Sequence, residues 1–528
     1  MSPQEILKFC LERGFLLDQE VLGLFGETND SESVKLIIER IKESTHQKII
    51  TKSLFNQNRD KVFQIFSTLP KENQQQLEGL KIKLGLSIEI SKEVHIENEK
   101  NKQNFLDRQD ILGVKVLSPI INKVKKLEVD DFTKYLKNRL NEMRGILLGN
   151  ASLKNPVSIN KLSNSKQGIS IIGMVSDKTI TKNKNMVLEV EDLTGKIKVL
   201  ISQNNPQLLE KAEEISLDSV LGFSGFGNRE ILFVNDIIFP DANLPERKRS
   251  PIEEYALFIG DLHFGSKLFL KDSFLKFIDY LNGNVPNTPE VEKIRYLFIV
   301  GDIITGVGNY PSQEKDLEIK DIEEQFIGIS KLLEKIRKDI KIIISPGNHD
   351  GVRLMEPQPL LKEKYAWSLY DLKNVILTGN PARVNIGSTN GFSGFDVLTY
   401  HGFSFPYYAN TIPRLMKEKA LNCPDKIMSY LLRNRHLAAA HTSVQHYPSE
   451  EDELIIKTVP DIFFAGHSHT SAVSYYNNIL MISSSSWESK TSRQEKMGNE
   501  PDFCKVPMLN MKTGVIKILD FEEKNDEK

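Results

Sequence analysis

Eight side chains able to bind metal or move protons stand directly after five short apolar runs. "YALFIGDLHFGS" is apolar up to Gly260 and then gives Asp261 and His263. "IRYLFIVGDIITG" ends its run at Gly301 and gives Asp302. "IKIIISPGNHD" packs Ile340, Ile342, Ile343 and Ile344 together, turns through Ser-Pro-Gly, and gives Asn348 and His349. "FDVLTYHG" gives His401, and "DIFFAGHSH" gives His467 and His469. Five of the ten histidines fall at these points, a concentration that packing alone does not require.

The residue types select a chemistry. Asp261, His263, Asp302, Asn348, His401, His467 and His469 form an oxygen and imidazole set without thiolate. Such a set suits manganese, iron or zinc better than magnesium or calcium. Seven ligands exceed the needs of one ion and match two divalent ions that share a bridging carboxylate. Two ions about 3.5–4 Å apart form a clamp for in-line attack at phosphorus. His349 is left over, placed to protonate a leaving oxygen or to steady a charged transition state.

Fully apolar runs of this length suit central strands covered on both faces. In open α/β sheets ligands bind beyond the carboxyl ends of the strands. Five strand ends of one sheet are therefore expected to converge on one place. Gly260, Gly301, Gly347, Gly402 and Gly466 let the backbone turn and approach closely there. A single Asp-x-His or His-x-His is a common accident; five such endings in order are not. His436, His441 and His446, in "RNRHLAAAHTSVQHYPSE", follow no buried strand. Of these His441 is a rival to His401, and the other two read as structural.

The elements before this region are of another kind. Residues 1–80 read as a small helical domain, with "SPQEILKFCLERGF" carrying apolar residues at helical spacing. Residues 81–125, rich in Lys and Glu, read as a charged linker in which His95 is solvated. In residues 126–245 an amphipathic basic helix precedes an expected OB-type barrel. The helix brings Tyr135, Leu136, Leu140, Met143, Ile146 and Leu147 to one side, with its Lys and Arg on a solvated face. The barrel is read from five short strands with "NPQLLEKAEEI" as an interposed helix. Gly195 in "EDLTGKIKV" is placed for a positive-φ turn. Phe223, Phe226 and Phe233 serve either core filling or base stacking. Residues 250–528 form the α/β region that carries the five motifs.

Bulk properties agree with this division. A chain of 528 residues exceeds one domain, and its 40% hydrophobic content is ample for several cores. A net charge of −2 excludes a strongly basic overall field, so any nucleic-acid contact must be local. Cys10, Cys423 and Cys504 lie far apart and form no CxxC, which excludes a cysteine zinc site. No apolar run reaches the roughly 20 residues of a membrane helix. A soluble cytoplasmic protein, without a membrane role, is expected.

The five motifs resemble those of the calcineurin-like metallophosphoesterase superfamily over roughly residues 250–500. "GDIITGVGNYPSQEKDLEIKDIEEQF", "PGNHDGVRLMEPQPLL" and "YHGFSFPYY" further resemble the small subunit of archaeal family-D DNA polymerases. That resemblance implies a multidomain α+β chain: a helical N-terminal region, an OB-type β-barrel and a two-sheet αββα metallophosphoesterase sandwich. It implies a dimetal 3′→5′ exonuclease that proofreads for a large catalytic subunit on single-stranded or primer–template DNA. It places Asp261, His263 and His469 on one ion, Asn348, His401 and His467 on the other, Asp302 between them, and His349 as the acid. Where that family usually carries a further aspartate after "GDII", this chain has Thr305. The alternatives are a catalytically silent assembly subunit and a stand-alone metallophosphoesterase such as a protein phosphatase or cyclic-nucleotide phosphodiesterase.

Overall fold

The computed structural model describes residues 126–498 and 500–522, residues 113–118, and short pieces of the first fifty. The chain divides into two compact units, residues 1–106 and 107–528. In the first, the described residues form helix α1 (Pro3–Glu12) and a parallel pair of two-residue strands, β1 (Leu16–Leu17) and β2 (Ile49–Ile50). Helix α1 buries Ile6 and Cys10, one turn apart on one face. Most of the expected helical domain 1–80, and His95 with most of the expected linker, lie outside the described residues.

The second unit opens with a departure from the sequence reading. Val114–Val116, inside the stretch read as a linker, is strand β3, antiparallel to strand β13 (Ala382–Ile386). Its Val114 is buried in a sheet core, so three residues of a charged segment close a sheet edge.

Helix α2 (Val129–Leu148) follows and buries Tyr135, Leu140, Met143 and Leu147 as their spacing predicts, with Ile146 partly buried, whereas Leu136 is left exposed. Arg139, read with a solvated face, is buried instead. Its Nε donates to Asp452 at 2.6 Å; Tyr135 donates to the same carboxylate at 2.7 Å, and His436 Nε2 lies 3.0 Å from it. Sequence periodicity cannot reveal a partner more than three hundred residues away.

Strands β4 (Gln167–Ile180), β5 (Met186–Asp192), β6 (Gly195–Ile201), β7 (Val220–Gly227) and β8 (Ile231–Ile238) close into a barrel in the order β4-β5-β6-β8-β7. Helix α3 (Pro206–Glu213) lies between β6 and β7, capped by Asn205. Alternation in "MVLEV" puts Met186, Leu188 and Val190 inside. Gly195 does not adopt the expected positive φ. The Asp192 carboxylate holds that turn, accepting from the Thr194 and Gly195 amides at 2.7 and 3.0 Å. Behind α3, Glu214 accepts from both Arg414 and Arg433, which ties the barrel to the α/β region.

The α/β region is built on two six-stranded sheets. The first contains β9 (Tyr255–Gly260), β10 (Ile294–Val300), β11 (Lys341–Ser345), β12 (Val375–Leu377), β18 (Lys505–Asn510) and β19 (Ile516–Asp520), in the order β12-β11-β10-β9-β18-β19. The second contains β3 and β13 with β14 (Phe395–Tyr400), β15 (Ile462–Ala465), β16 (Ala472–Tyr476) and β17 (Ile479–Ser483), in the order β16-β17-β15-β14-β13-β3. The five motif strands therefore do not share one sheet. β9, β10 and β11 lie in the first; β14 and β15 lie in the second. A strand buried on both faces reads the same in one sheet as in two.

The sheets face each other through Phe258, Phe298, Val384, Val397, Phe464 and Ile482. The Phe258 ring stacks on Phe298 at 5.4 Å and meets Phe464 edge-on at 5.1 Å. Behind the second sheet, α6 (Phe405–Thr411), α7 (Pro413–Lys417) and α8 (Pro424–Asn434) pack against Leu398, Tyr400, Phe463 and Ala465. Leu257, Ile259, Leu297 and Ile299, on the other face of the first sheet, are equally buried. Helices α4 (Lys271–Leu281) and α5 (Ile322–Leu333), in the crossovers between its strands, bury Phe274, Phe277, Ile329 and Leu333.

Candidate metal centre

The loops leaving β9, β10, β11, β14 and β15 bring all eight sequence-selected side chains together. His263 Nε2 lies 3.1 Å from His469 Nε2, and His469 Nε2 lies 3.5 Å from Asp261 Oδ1. A second group forms around His401, whose Nε2 lies 2.9 Å from Asn348 Oδ1 and 3.2 Å from His467 Nδ1. Asp302 stands between the groups. Its Oδ2 is 3.3 Å from His401 Nε2, 3.9 Å from His263 Nε2 and 4.0 Å from His349 Nε2. The other oxygen, Oδ1, is fixed by the His349 amide at 2.8 Å.

Backbone geometry shows how the site is made. Asp261, His263, Asp302, His467 and His469 all have φ between 48° and 67°, the left-handed region that β-carbons disfavour. Each such residue costs of order 1 kcal/mol or more, a strain that the buried strands leading into these loops can hold. The glycines leave room for the ligands. A β-carbon on Gly301 would lie 2.1 Å from His401 Nδ1, and one on Gly347 would lie 2.3 Å from Asp302 Oδ1.

Residues 256–471 match the family model described as calcineurin-like phosphoesterase. Over 398 residues the chain is 36% identical to the DNA polymerase II small subunit of Methanothermobacter thermautotrophicus, covering 75% of this chain and 80% of that one. The chain belongs to the DNA polymerase II small-subunit family. It is also 36% identical over 426 residues to the small subunit of Pyrococcus furiosus, covering 78% of this chain and 68% of that one. With the subunit of Archaeoglobus fulgidus the identity is 35% over 395 residues, covering 74% and 77%. This small-subunit chain thus carries a calcineurin-like phosphoesterase domain, a class that works with divalent metals.

The residues present fit a metal pair. Burial holds His263 and His467 down at about 3, and His469 well below the ordinary imidazole value, so these rings offer lone pairs. Burial pushes Asp261 up to about 8; the charge on His401 opposes this and that on Asp302 adds to it. Burial also acts to raise Asp302, but the charges on His401 and His349 outweigh it and keep that carboxyl well below the usual range. Within the protein alone His401 supplies the balancing charge: burial lowers its pKa, yet Asp302 outweighs this and lifts it to about 9. Lone pairs of three neutral rings, two carboxyl groups and one amide converge with only the His401 proton as counter-charge, and divalent ions that displace that proton answer the need. The groupings Asp261–His263–His469 and Asp302–His401–His467 each hold their ligand atoms within 4.8 Å of one another.

Several supporting contacts, those of Thr305 included, escaped the sequence reading. The Thr305 carbonyl lies 2.8 Å from His349 Nδ1, and its hydroxyl donates to the His263 carbonyl at 2.7 Å. Asn309 donates to the same Thr305 carbonyl at 3.0 Å. Ser484 donates to Asp261 at 3.1 Å, Asn380 accepts from the His401 amide at 2.8 Å, and Gln494 Nε2 lies 2.9 Å from His469 Nδ1. These are hydroxyl, amide and backbone contacts across the fold, and no local motif marks them. The rival histidine is elsewhere: His441 is exposed and bonds Asp218 at 2.7 Å, while His446 Nε2 lies 2.8 Å from the Ala438 carbonyl.

Proposed function

We propose that this subunit is a 3′→5′ exonuclease that proofreads for a large catalytic polymerase subunit, with which it forms a heterodimer. One observation carries the reading: Asp302 is anchored through one oxygen while the other faces both ligand groups, with His349 beside it. In this reading Asp261, His263 and His469 would hold one divalent ion, Asn348, His401 and His467 would hold another, and Asp302 would serve both. Manganese suits the set, as do iron and zinc. Bound there, such a pair supplies Lewis-acid polarisation of the scissile phosphodiester and lowers the pKa of the attacking water.

The chain's own groups do the rest. Asp302 keeps one oxygen free to serve both sides because the His349 amide holds the other. His349 Nδ1–H donates to the Thr305 carbonyl, so a proton gained by the ring sits on Nε2, on the Asp302 side. That proton passes to the departing 3′-oxygen as the terminal nucleotide leaves. The barrel, read as OB-type, and the primer strand belong to the same proposal.

The test is a nuclease assay on 3′-mismatched primer–template DNA with manganese, with and without chelator. Release of mononucleotides by the parent protein, suppressed by chelator, is expected. Asp302→Ala should lose both hydrolysis and stoichiometric metal. His349→Ala should lose hydrolysis while keeping its metal and fold. Full hydrolysis by Asp302→Ala protein would reject the assignment.

A further inference from the structure

We infer that the bare end of the barrel is a stacking platform for single-stranded DNA. The outer surface of the barrel is not treated evenly. Helix α2 covers one end, where Leu140, Met143, Leu147 and Leu153 pack against Ile172, Met174, Val220 and Ile238. The same strands continue beyond that cover, and there they expose two aromatic rings. Phe226 on β7 lies directly opposite Phe233 on β8, and the two are 50% and 43% exposed. Phe223, three residues earlier on β7, is fully buried and fills the barrel core. Core filling therefore accounts for one of the three phenylalanines and leaves two facing solvent.

Their neighbours suit a nucleic-acid strand. Directly opposite, residues in an antiparallel pair stand about 5 Å apart, so the two side chains form one apolar patch. Leu200 on β6 extends the row past Phe233. On the other side Gly168 stands opposite Phe226, and a β-carbon there would meet nothing within 4 Å. The flank of Phe226 is thus open to a flat ring. Cations border the patch: Lys166 just before β4, Lys198 two residues before Leu200, and Arg229 in the turn joining β7 and β8. Lys166 and Arg229 form no ion pair among the described residues. Lys198 stands across from Glu189, whose carboxylate is engaged by Lys196 at 2.9 Å; Lys196 also holds Glu191 at 3.0 Å. Glu230 shares the turn with Arg229. Exposed aromatic faces bordered by cations bind single strands through base stacking and phosphate contacts, with little sequence preference.

The identity of the strand as DNA rests on the exonuclease reading; the platform itself does not use the metal centre. The test separates them. Binding of a fluorescein-labelled oligo-dT to the full chain is followed by anisotropy in chelator, where no hydrolysis occurs. The Phe226→Ala/Phe233→Ala variant should bind roughly 5- to 100-fold more weakly for each ring that stacks. Phe226→Leu/Phe233→Leu, which keeps apolar area, should bind almost as weakly, whereas Phe226→Trp/Phe233→Trp should restore binding. Lys198→Gln should reduce the slope of log affinity against log salt by about 0.7. Circular dichroism and melting curves check that each variant is folded. Asp302→Ala protein should bind like the parent, so loss of hydrolysis there leaves the platform standing. Parent-level affinity in the double alanine variant would overturn the inference. So would a leucine variant that binds oligo-dT normally, or a double alanine variant that loses only its hold on the large subunit, which would mark a protein-docking face.

Discussion

Gly347→Ala isolates the role of close packing at the candidate metal centre. Gly347 has no positive φ, so an alanine there meets no backbone penalty and the effect is steric alone. The added methyl would lie 2.3 Å from Asp302 Oδ1, 2.4 Å from the Asp302 amide nitrogen and 2.9 Å from His401 Cε1. Ordinary contact begins near 3.4 Å, so Asp302 must retreat by about 1 Å. Overpacking of this kind costs about 1–3 kcal/mol of stability, because the two neighbouring strands resist. The functional effect should be larger. A shift of about 1 Å in a positioning group can cost about a hundredfold in rate. Three measurements apply: metal content of purified protein, the melting temperature, and hydrolysis of a 3′-mismatched primer. The expected outcome is a folded protein with reduced metal content and about a hundredfold slower hydrolysis. Parent-level metal content and rate would refute the claim that Asp302 is held where no methyl can fit.

Gly145→Ala is the matching control: it lies within helix α2, its β-carbon would meet nothing within 4 Å, and stability should rise by about 0.5–1 kcal/mol in denaturant unfolding. Asp452→Asn should destabilise by about 3–5 kcal/mol at neutral pH, since it leaves Arg139 buried without its counter-ion. Burial acts to raise the Asp452 carboxyl, but Arg139 and His436 outweigh this and hold it well below the usual range. Its contribution is therefore complete above about pH 4 and is lost as pH falls. Unfolding measured between pH 7 and 3 should show the parent losing more stability than Asp452→Asn; equal losses would remove Asp452 from the acid response.

The sequence by itself picked out the eight side chains that the fold brings together as a candidate site. Asp261, His263, Asp302, Asn348, His349, His401, His467 and His469 were legible because a short apolar run followed at once by a ligand is a local signal. It needs no knowledge of the partner strand. The barrel's strands and the helical face of α2 were legible for the same reason, since alternation and 3.6-residue spacing are written locally. Tertiary structure decided what local pattern cannot carry. It split the five motif strands between two facing sheets, made an edge strand of Val114–Val116, and buried Arg139 against Asp452. It also recruited the Thr305 carbonyl to His349 and left Phe226 and Phe233 in solvent while burying Phe223. Each of these depends on what meets a residue from tens to hundreds of positions away, and burial on both faces, helical spacing or an aromatic side chain reads the same whichever partner arrives.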